Sequence, residues 1–355
     1  MDDIDALSAT LGIPWETSKD IPFSAAPTFI GFIWDLCQLT VCLAPAKKTK
    51  YLAVIEVWSL STIHTLQEVQ SLYGKLLHTC LVFPAGRSRL TGLEAMLTVG
   101  RDRPFTPHHS PVSVREDMVW WSVLLGRDSI SRRIPRPVVL RDIGAFSDAS
   151  SGIGIAIIIE GRWRAWLLIP GWKTLNGKRD IGWAEAVGFK LLVKTLLSIY
   201  DPSQHYKIYG DNKGVIEGWW NGRSRNSAVN NIFRRLQDHL HSLDAAEHIH
   251  TEYIPSANNP ADAPSRGEYG SESLLLPALE LPPVLSQFLI DSQSELSATE
   301  LRLFREGAYS ASASKHITST IEAASARRAY HADQLRELDL AFKQPSASGA
   351  EDTFL

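Results

Sequence analysis

The chain has 355 residues, 44% of them hydrophobic and 21% charged, which suffices to bury one or two ordinary cores. A formal net charge of −3 gives no global basic field, so any nucleic-acid surface has to be local. The three cysteines, Cys37, Cys42 and Cys80, are too few and too badly spaced for a disulfide framework or a zinc site, and no apolar run reaches the roughly 18 residues of a membrane span. With the acidic start MDDIDAL, which is no secretory signal, this leads us to expect an intracellular setting, cytoplasmic or nuclear, with no membrane partner.

Residues 1–100 read as a small, mostly helical subdomain. A short helix opens it, with Asp2 and Asp3 as an acidic first turn. Two β-like runs follow, over residues 28–34 and 39–43, with Cys37 and Cys42 flanking a turn and packing as small apolar residues. Residues 47–60 read as a helix. Thr65 and Glu68, in T-x-x-E capping-box spacing, start the next, whose apolar stripe is Leu66, Val69, Leu72, Leu76, Leu77 and Cys80. A third helix is expected over 87–97. Residues 101–140, rich in Pro, His and Arg around a helix-like piece at 115–125, read as a linker, with His108 and His109 as ordinary surface residues.

Residues 141–268 carry a strand–strand–strand–helix–strand–helix–helix–strand order. The strands fall over 144–148, 153–159, 164–169, 206–209 and 248–254. The long helix spans 181–200, with Trp183, Val187, Leu191, Leu192 and Leu196 on its inner stripe, and two more helices cover 212–220 and 229–243. The fold class expected is α/β: a mixed five-stranded sheet with helices on both faces. Residues 269–355 read as a tail, with a charged helix around 318–342 and a disordered end.

Four carboxylates carry the chemistry: Asp148 in GAFSDASSGIGIAI, Glu185 in DIGWAEAVGFKLLV, Asp211 in YKIYGDNKGVIEGWW and Asp262 in EYIPSANNPADAPSRG. The first and third end β-type runs, the second lies in the long helix, and the fourth follows the last strand. That order can gather all four at one end of a sheet, where they would repel unless cations neutralised them. Mg²⁺, with Mn²⁺ as substitute, is the expected cofactor, because it prefers oxygen ligands and shares them with phosphate. Two such ions about 4 Å apart activate a water and stabilise the leaving oxygen of a phosphodiester. On this reading Asp148 is shared by both ions, Glu185 and Asp211 hold the one near the leaving oxygen, and Asp262 holds the other and orients the water.

The segment from about residue 144 to 267 resembles the RNase H domain that follows reverse transcriptase in retroelements, in particular the gypsy-like and DIRS-like groups, fungal ones included. SDAS, the isolated helical Glu, GDN after a strand and NPADAPSRG carry the resemblance. The stretch FIGFIWDL…LAPAKKTKYL…HTLQEVQSLYGKLLHTCLVFPAGRSRL is similar to the end of the palm and the thumb and connection of such reverse transcriptases. The resemblance implies an RNase H-like fold and a metal-dependent endonuclease that cuts the RNA of an RNA–DNA hybrid, leaving a 5′-phosphate and a 3′-hydroxyl. The polymerase Y-x-D-D hairpin is absent, so the resemblance does not extend to DNA synthesis, and the missing polymerase half of a reverse transcriptase becomes a candidate partner.

Candidate substrate contacts are Ser150 beside the first carboxylate, Lys178 and Arg179 before the long helix, Asn212 after Asp211, and Arg223 and Arg225 between the later helices. Lys173, Arg234, Arg235, Trp219 and Trp220 could extend them into a groove that tracks a backbone, with the hybrid recognised by its A-like shape and 2′-hydroxyls. Each has a plainer role open to it: Asn212 as a helix cap, Trp219 as core, the arginines as a solvated face. The small residues Ser147 and Ala149 fit close approach of a sugar–phosphate as well as a strand end. IPSANNPAD lacks the His many enzymes of this fold carry, and Asn258 or Asn259 stands where it would be. Two alternatives remain at this level: a catalytically silent nucleic-acid-binding remnant or subunit, and another nuclease of the same fold with a three-carboxylate set.

Overall fold

The computed structural model describes residues 2–13, 24–168, 172–174 and 177–293, and these fall into two compact units that divide between Pro137 and Val138. The helix expected over 318–342 lies outside the described residues.

In the first unit, α1 (Asp2–Thr10) is followed by β1 (Thr28–Phe29), β2 (Phe32–Asp35) and β3 (Thr40–Leu43), which pair in order as an antiparallel sheet. Between β2 and β3, Asp35 Oδ1 accepts from the backbone N–H groups of Cys37 and Gln38 at 3.0 and 2.7 Å. That turn leaves Cys37 exposed rather than packed, with Cys42 partly buried and Cys80 buried. Helix α2 (Pro45–Ser59) starts with a proline, whose missing N–H costs nothing in a first turn. After β4 (Ile63–His64), α3 (Leu66–Thr79) has the expected capping box: Glu68 Oε2 accepts from Thr65 N at 2.7 Å, and Thr65 Oγ1 accepts from Glu68 N at 3.3 Å. Val69, Leu72, Leu76 and Cys80 are buried on that helix, while Leu77 is exposed.

The third helix lies later than expected: a 3₁₀ stretch covers Pro84–Arg89 and α4 covers Thr91–Asp102. Strand β5 (His108–His109) pairs with β4, so His108 sits opposite His64. The segment expected as a linker is part of this unit. Helix α5 (Val112–Gly126) buries Val114, Met118, Trp121, Leu124 and Leu125 in the same core as Phe32, Ile55, Trp58 and Leu72, and β6 (Ser131–Arg133) joins the sheet beside β3. The helix expected over 115–125 is there, and its aromatic and aliphatic residues fill the unit's centre rather than bridging two domains.

The second unit is built on β7 (Leu140–Ala149), β8 (Gly154–Ile159), β9 (Arg162–Leu168), α6 (Ile181–Ile199), β10 (His205–Gly210), α7 (Lys213–Trp220), α8 (Ser227–Ser242) and β11 (Ile249–Tyr253), all close to their expected positions. Beyond them come α9 (Asp262–Ser265), α10 (Pro283–Ser286) and β12 (Leu289–Asp291). The sheet has six strands rather than five, in the order β11-β10-β7-β8-β9-β12. β7, β10 and β11 run parallel; β8, β9 and β12 alternate antiparallel to one another. The extra strand and the segment before it belong to the core rather than to a tail: Leu276, Leu285 and Leu289 are buried with Ile155, Trp166, Leu192 and Phe233. Arg164, on β9, makes an ion pair with Asp291 at 2.6 Å and donates to the Leu276 carbonyl at 2.7 Å. Among the described residues, no helix is long and apolar enough to cross a membrane.

Candidate metal centre

Two parallel strands bring the first and third carboxylates together. Asp148 is the last residue but one of β7, and Asp211 follows β10 directly. Parallel neighbours end at the same edge of a sheet, the usual place for ligands in such sheets. A bulge completes the match. Lys207 pairs with Asp142, but the next residue, Ile208, pairs with Ala145, so Ile143 and Gly144 are skipped. Gly144 makes the skip with φ of 60°, a backbone region that side chains disfavour, and its N–H donates to Asp142 Oδ1 at 3.1 Å. The Tyr209 hydroxyl donates to the other oxygen of Asp142. With the shifted register, Tyr209 lies opposite Phe146, and two residues further Asp211 falls level with Asp148. Without it, Asp211 would fall level with Phe146.

Helix α6 supplies the third group. Asp180 caps it, accepting from Trp183 N at 3.1 Å. Gly188 lets it lie close on the sheet: a Cβ there would meet Ile155 Cγ2 at 3.0 Å and the Ser147 Cβ at 3.6 Å. Ser147 thus faces α6 with the core, and Glu185, one turn before Gly188, reaches the end of β7. The carboxylates of Asp148, Glu185 and Asp211 offer ligand oxygens that all lie within 4.8 Å of one another, a group able to hold a metal ion.

The group's electrostatics are those of a cation site. Asp148 and Glu185 are 4% and 9% exposed. Burial, followed by the charge of Asp148 and then of Asp211, pushes the Glu185 carboxyl up to about 9. Burial also pushes Asp148 up to about 6, against a hydrogen bond from Ser265 that favours its ionised form. Asp211 Oδ1 is buried with no hydrogen-bond partner. A buried carboxylate oxygen left without a donor is unfavourable, and a divalent cation would satisfy it. The donor set is all oxygen, as Mg²⁺ or Mn²⁺ prefers.

Of the residues that hold this group in place, sequence reading missed Ser265 and gave Ser150 and Asn259 other roles, as a substrate contact and as a stand-in for the absent His. The Ser265 hydroxyl donates to Asp148 Oδ2, and its oxygen lies 2.8 Å from the Asp262 carbonyl. Asn259, 5% exposed, donates from Nδ2 to the Ser147 carbonyl at 3.0 Å and reaches Asp148 Oδ1 at 3.5 Å. Its Oδ1 accepts from Ala261 N at 3.1 Å, so it is a fixed strut, while Asn258 is exposed. Ser150 Oγ donates to the Ser265 carbonyl at 2.7 Å and accepts from Gly154 N at 3.2 Å. These bonds tie α9 against β7 and β8. The serine five residues after NNP and three after Asp262 was the available signal.

The fourth carboxylate stands apart. Asp262 opens α9, and both its oxygens accept from Arg266 Nε at 2.9 Å, one turn on. It is not a member of the group of three. An open cleft of about 490 Å³ beside the site is lined by residues 149–153, Ile181 and Arg266.

The candidate substrate residues separate. Asn212 caps α7, its Oδ1 accepting from Val215 N at 3.2 Å. Arg179 is held in the fold, with Nε donating to the Trp172 carbonyl at 2.7 Å and its guanidinium over the Phe288 ring at 4.4 Å. Trp219 is core, against Phe189 and Phe233, whereas Trp220 is 76% exposed. Lys173, Lys178, Arg225 and Arg235 are exposed, and Arg223 and Arg234 are partly buried. Comparison with protein-family models and with curated proteins gives no match.

Proposed function

We propose that the second unit is a metal-dependent endonuclease of the RNase H type, hydrolysing the RNA strand of an RNA–DNA hybrid. The observation that carries the reading is the trio of buried Asp148 and Glu185 and half-buried Asp211, with a buried, unpartnered oxygen on Asp211, where two parallel strands end beside α6. The resemblance of SDAS, GDN and NPADAPSRG to retroelement RNase H domains supports it independently, as does the order of sheet and helices. A divalent cation, Mg²⁺ or Mn²⁺, held by the three carboxylates would supply charge neutralisation and an activated water for phosphodiester hydrolysis. Ser265 and Asn259 fix the rotamer of Asp148, and Glu185 and Asp211 supply the remaining negative charge. Exposed Lys178, Arg225 and Trp220 are the candidates for contact with the hybrid's backbone and bases. The first unit, similar to a thumb and connection, would help to hold the hybrid or dock on a polymerase half supplied by another chain. The setting would be the cytoplasm or nucleus.

One observation favours a second reading, a silent nucleic-acid-binding remnant: Asp262 is engaged by Arg266 rather than gathered with the other three. Cleavage of a labelled RNA–DNA hybrid with Mg²⁺, beside Asp211→Asn, separates the two. The nuclease reading expects RNA-strand cutting that needs Mg²⁺ and falls by about 10²- to 10³-fold in the variant, the usual loss when one group that stabilises developing charge is removed. Hybrid binding without cutting, by a folded protein, would leave the remnant.

A further inference from the structure

Rather than being remote from the metal centre, Asp262 is withheld from it. It opens the helix that Ser265 ties to Asp148, so its backbone is fixed beside the three carboxylates. Its charge is felt by both Asp148 and Glu185. Its oxygens, however, are both taken by one nitrogen of Arg266. The two side chains are 35% and 60% exposed, and an ion pair so wetted is worth no more than about five-fold in an equilibrium constant. A divalent cation competes for the same oxygens with twice the charge. Only Nε of the guanidinium is used on Asp262; the terminal nitrogens keep their donors, in a fork that suits phosphate oxygens. Arg266 also lines the cleft that residues 149–153 and Ile181 bound.

From this arrangement, and resting on the nuclease reading above, we infer that Arg266 is the exchangeable counter-ion of Asp262. In the structure it neutralises the carboxylate. With a second divalent cation held by Asp262, Arg266 would give up the carboxylate and turn its guanidinium to a backbone phosphate of the nucleic-acid strand lying in the cleft. The site thereby acquires its second cation and its phosphate grip together, which couples metal loading to substrate.

The test compares the full-length wild-type chain with Arg266→Gln in two measurements. Mn²⁺ titration, followed by electron paramagnetic resonance and calorimetry, is expected to leave the site of the three carboxylates unchanged. The second, weaker site should tighten about three- to five-fold in Arg266→Gln and vanish in Asp262→Asn. Anisotropy with a labelled RNA–DNA hybrid in Ca²⁺ should then show the same Arg266→Gln variant binding the hybrid several-fold more weakly. Tighter cation with weaker hybrid is a pair of opposite signs that a folding defect does not produce. A second-site constant unchanged or loosened in Arg266→Gln overturns the exchange, and undiminished hybrid affinity overturns the phosphate contact. Wild-type protein that takes up no Mn²⁺ at a site abolished by Asp148→Asn overturns the metal-centre reading instead.

Discussion

The second unit buries carboxylates in two places and treats them in opposite ways. At the edge of the sheet, Asp291, 7% exposed, is bracketed by Arg164, 5% exposed, through Nε and Nη2 at 2.6 Å, and the guanidinium's third contact is the Leu276 carbonyl. At the end of β7 and β10, three carboxylates share one small space, and among the described residues no basic side chain forms an ion pair with them. Asp148 and Glu185 are buried as deeply as Asp291, so solvent does not make the difference for them. Where a charge only fastens two parts of the chain, its opposite is built in. Where carboxylates crowd together with no opposite charge built in, the group is able to hold a metal ion.

The largest effect should come from breaking the balanced pair. Arg164→Leu leaves Asp291 buried and unpaired, and should lower the unfolding free energy by about 3–5 kcal/mol in a urea titration. A change under 1 kcal/mol would mean that the pair is not buried in solution. The pH dependence of the metal-free protein should come next. Glu185 has its folded value raised to about 9, above its ordinary 4.5, so the folded state keeps a proton that the unfolded state has released across that window. Stability therefore falls as pH rises through it, by at most about 1.4 kcal/mol per unit for one proton. Asp148, raised to about 6, adds the same sign at lower pH. Melting temperatures in chelator should drop from pH 6 to pH 8.5, and saturating Mg²⁺ should flatten the slope; a flat profile in chelator would refute the unbalanced arrangement.

Neutralising one of the three should act in the opposite sense to Arg164→Leu. Glu185→Gln is expected to raise the metal-free melting temperature at pH 8 by about 4 °C and to abolish the stabilisation by Mg²⁺. Smallest should be Gly144→Ala. Its positive φ makes a side chain cost about 1–2 kcal/mol there, and it should weaken Mn²⁺ affinity at the three carboxylates by disturbing the register that levels Asp211 with Asp148. Unaltered Mn²⁺ binding would show that the bulge is not what aligns them.

The strand and helix order of the second unit was legible because local signals agreed with the final fold: the apolar run IGIAIII, an apolar stripe in the long helix, and the Asn212 cap before α7. Three of the four marked carboxylates meet in space because their strands are parallel neighbours, an arrangement that strand order makes plausible. What could not be read were contacts over long sequence distances. Strand β12 has three residues and no periodicity of its own; it exists because Asp291 meets Arg164 and Leu289 finds the core. Helix α5 was legible as a helix, but its place in the core was not, because the surrounding prolines and arginines read as a linker. Arg266, four residues after Asp262, was there to be seen at helical pairing distance. A carboxylate in a motif draws attention to itself rather than to its neighbour.

The segment from Gly270 to Ser292 follows the outer flank of β9. The Trp163 indole donates to the Ser271 carbonyl at 3.0 Å, Leu276 N donates to the Trp163 carbonyl at 2.9 Å, and Ser292 N donates to the Ala165 carbonyl at 3.1 Å. Without this strip, β9 would present a row of unsatisfied amides and carbonyls beside Trp163 and Trp166, the kind of template on which other chains polymerise. A fragment cut after the last acidic motif would keep every metal ligand and still be driven toward insoluble assemblies.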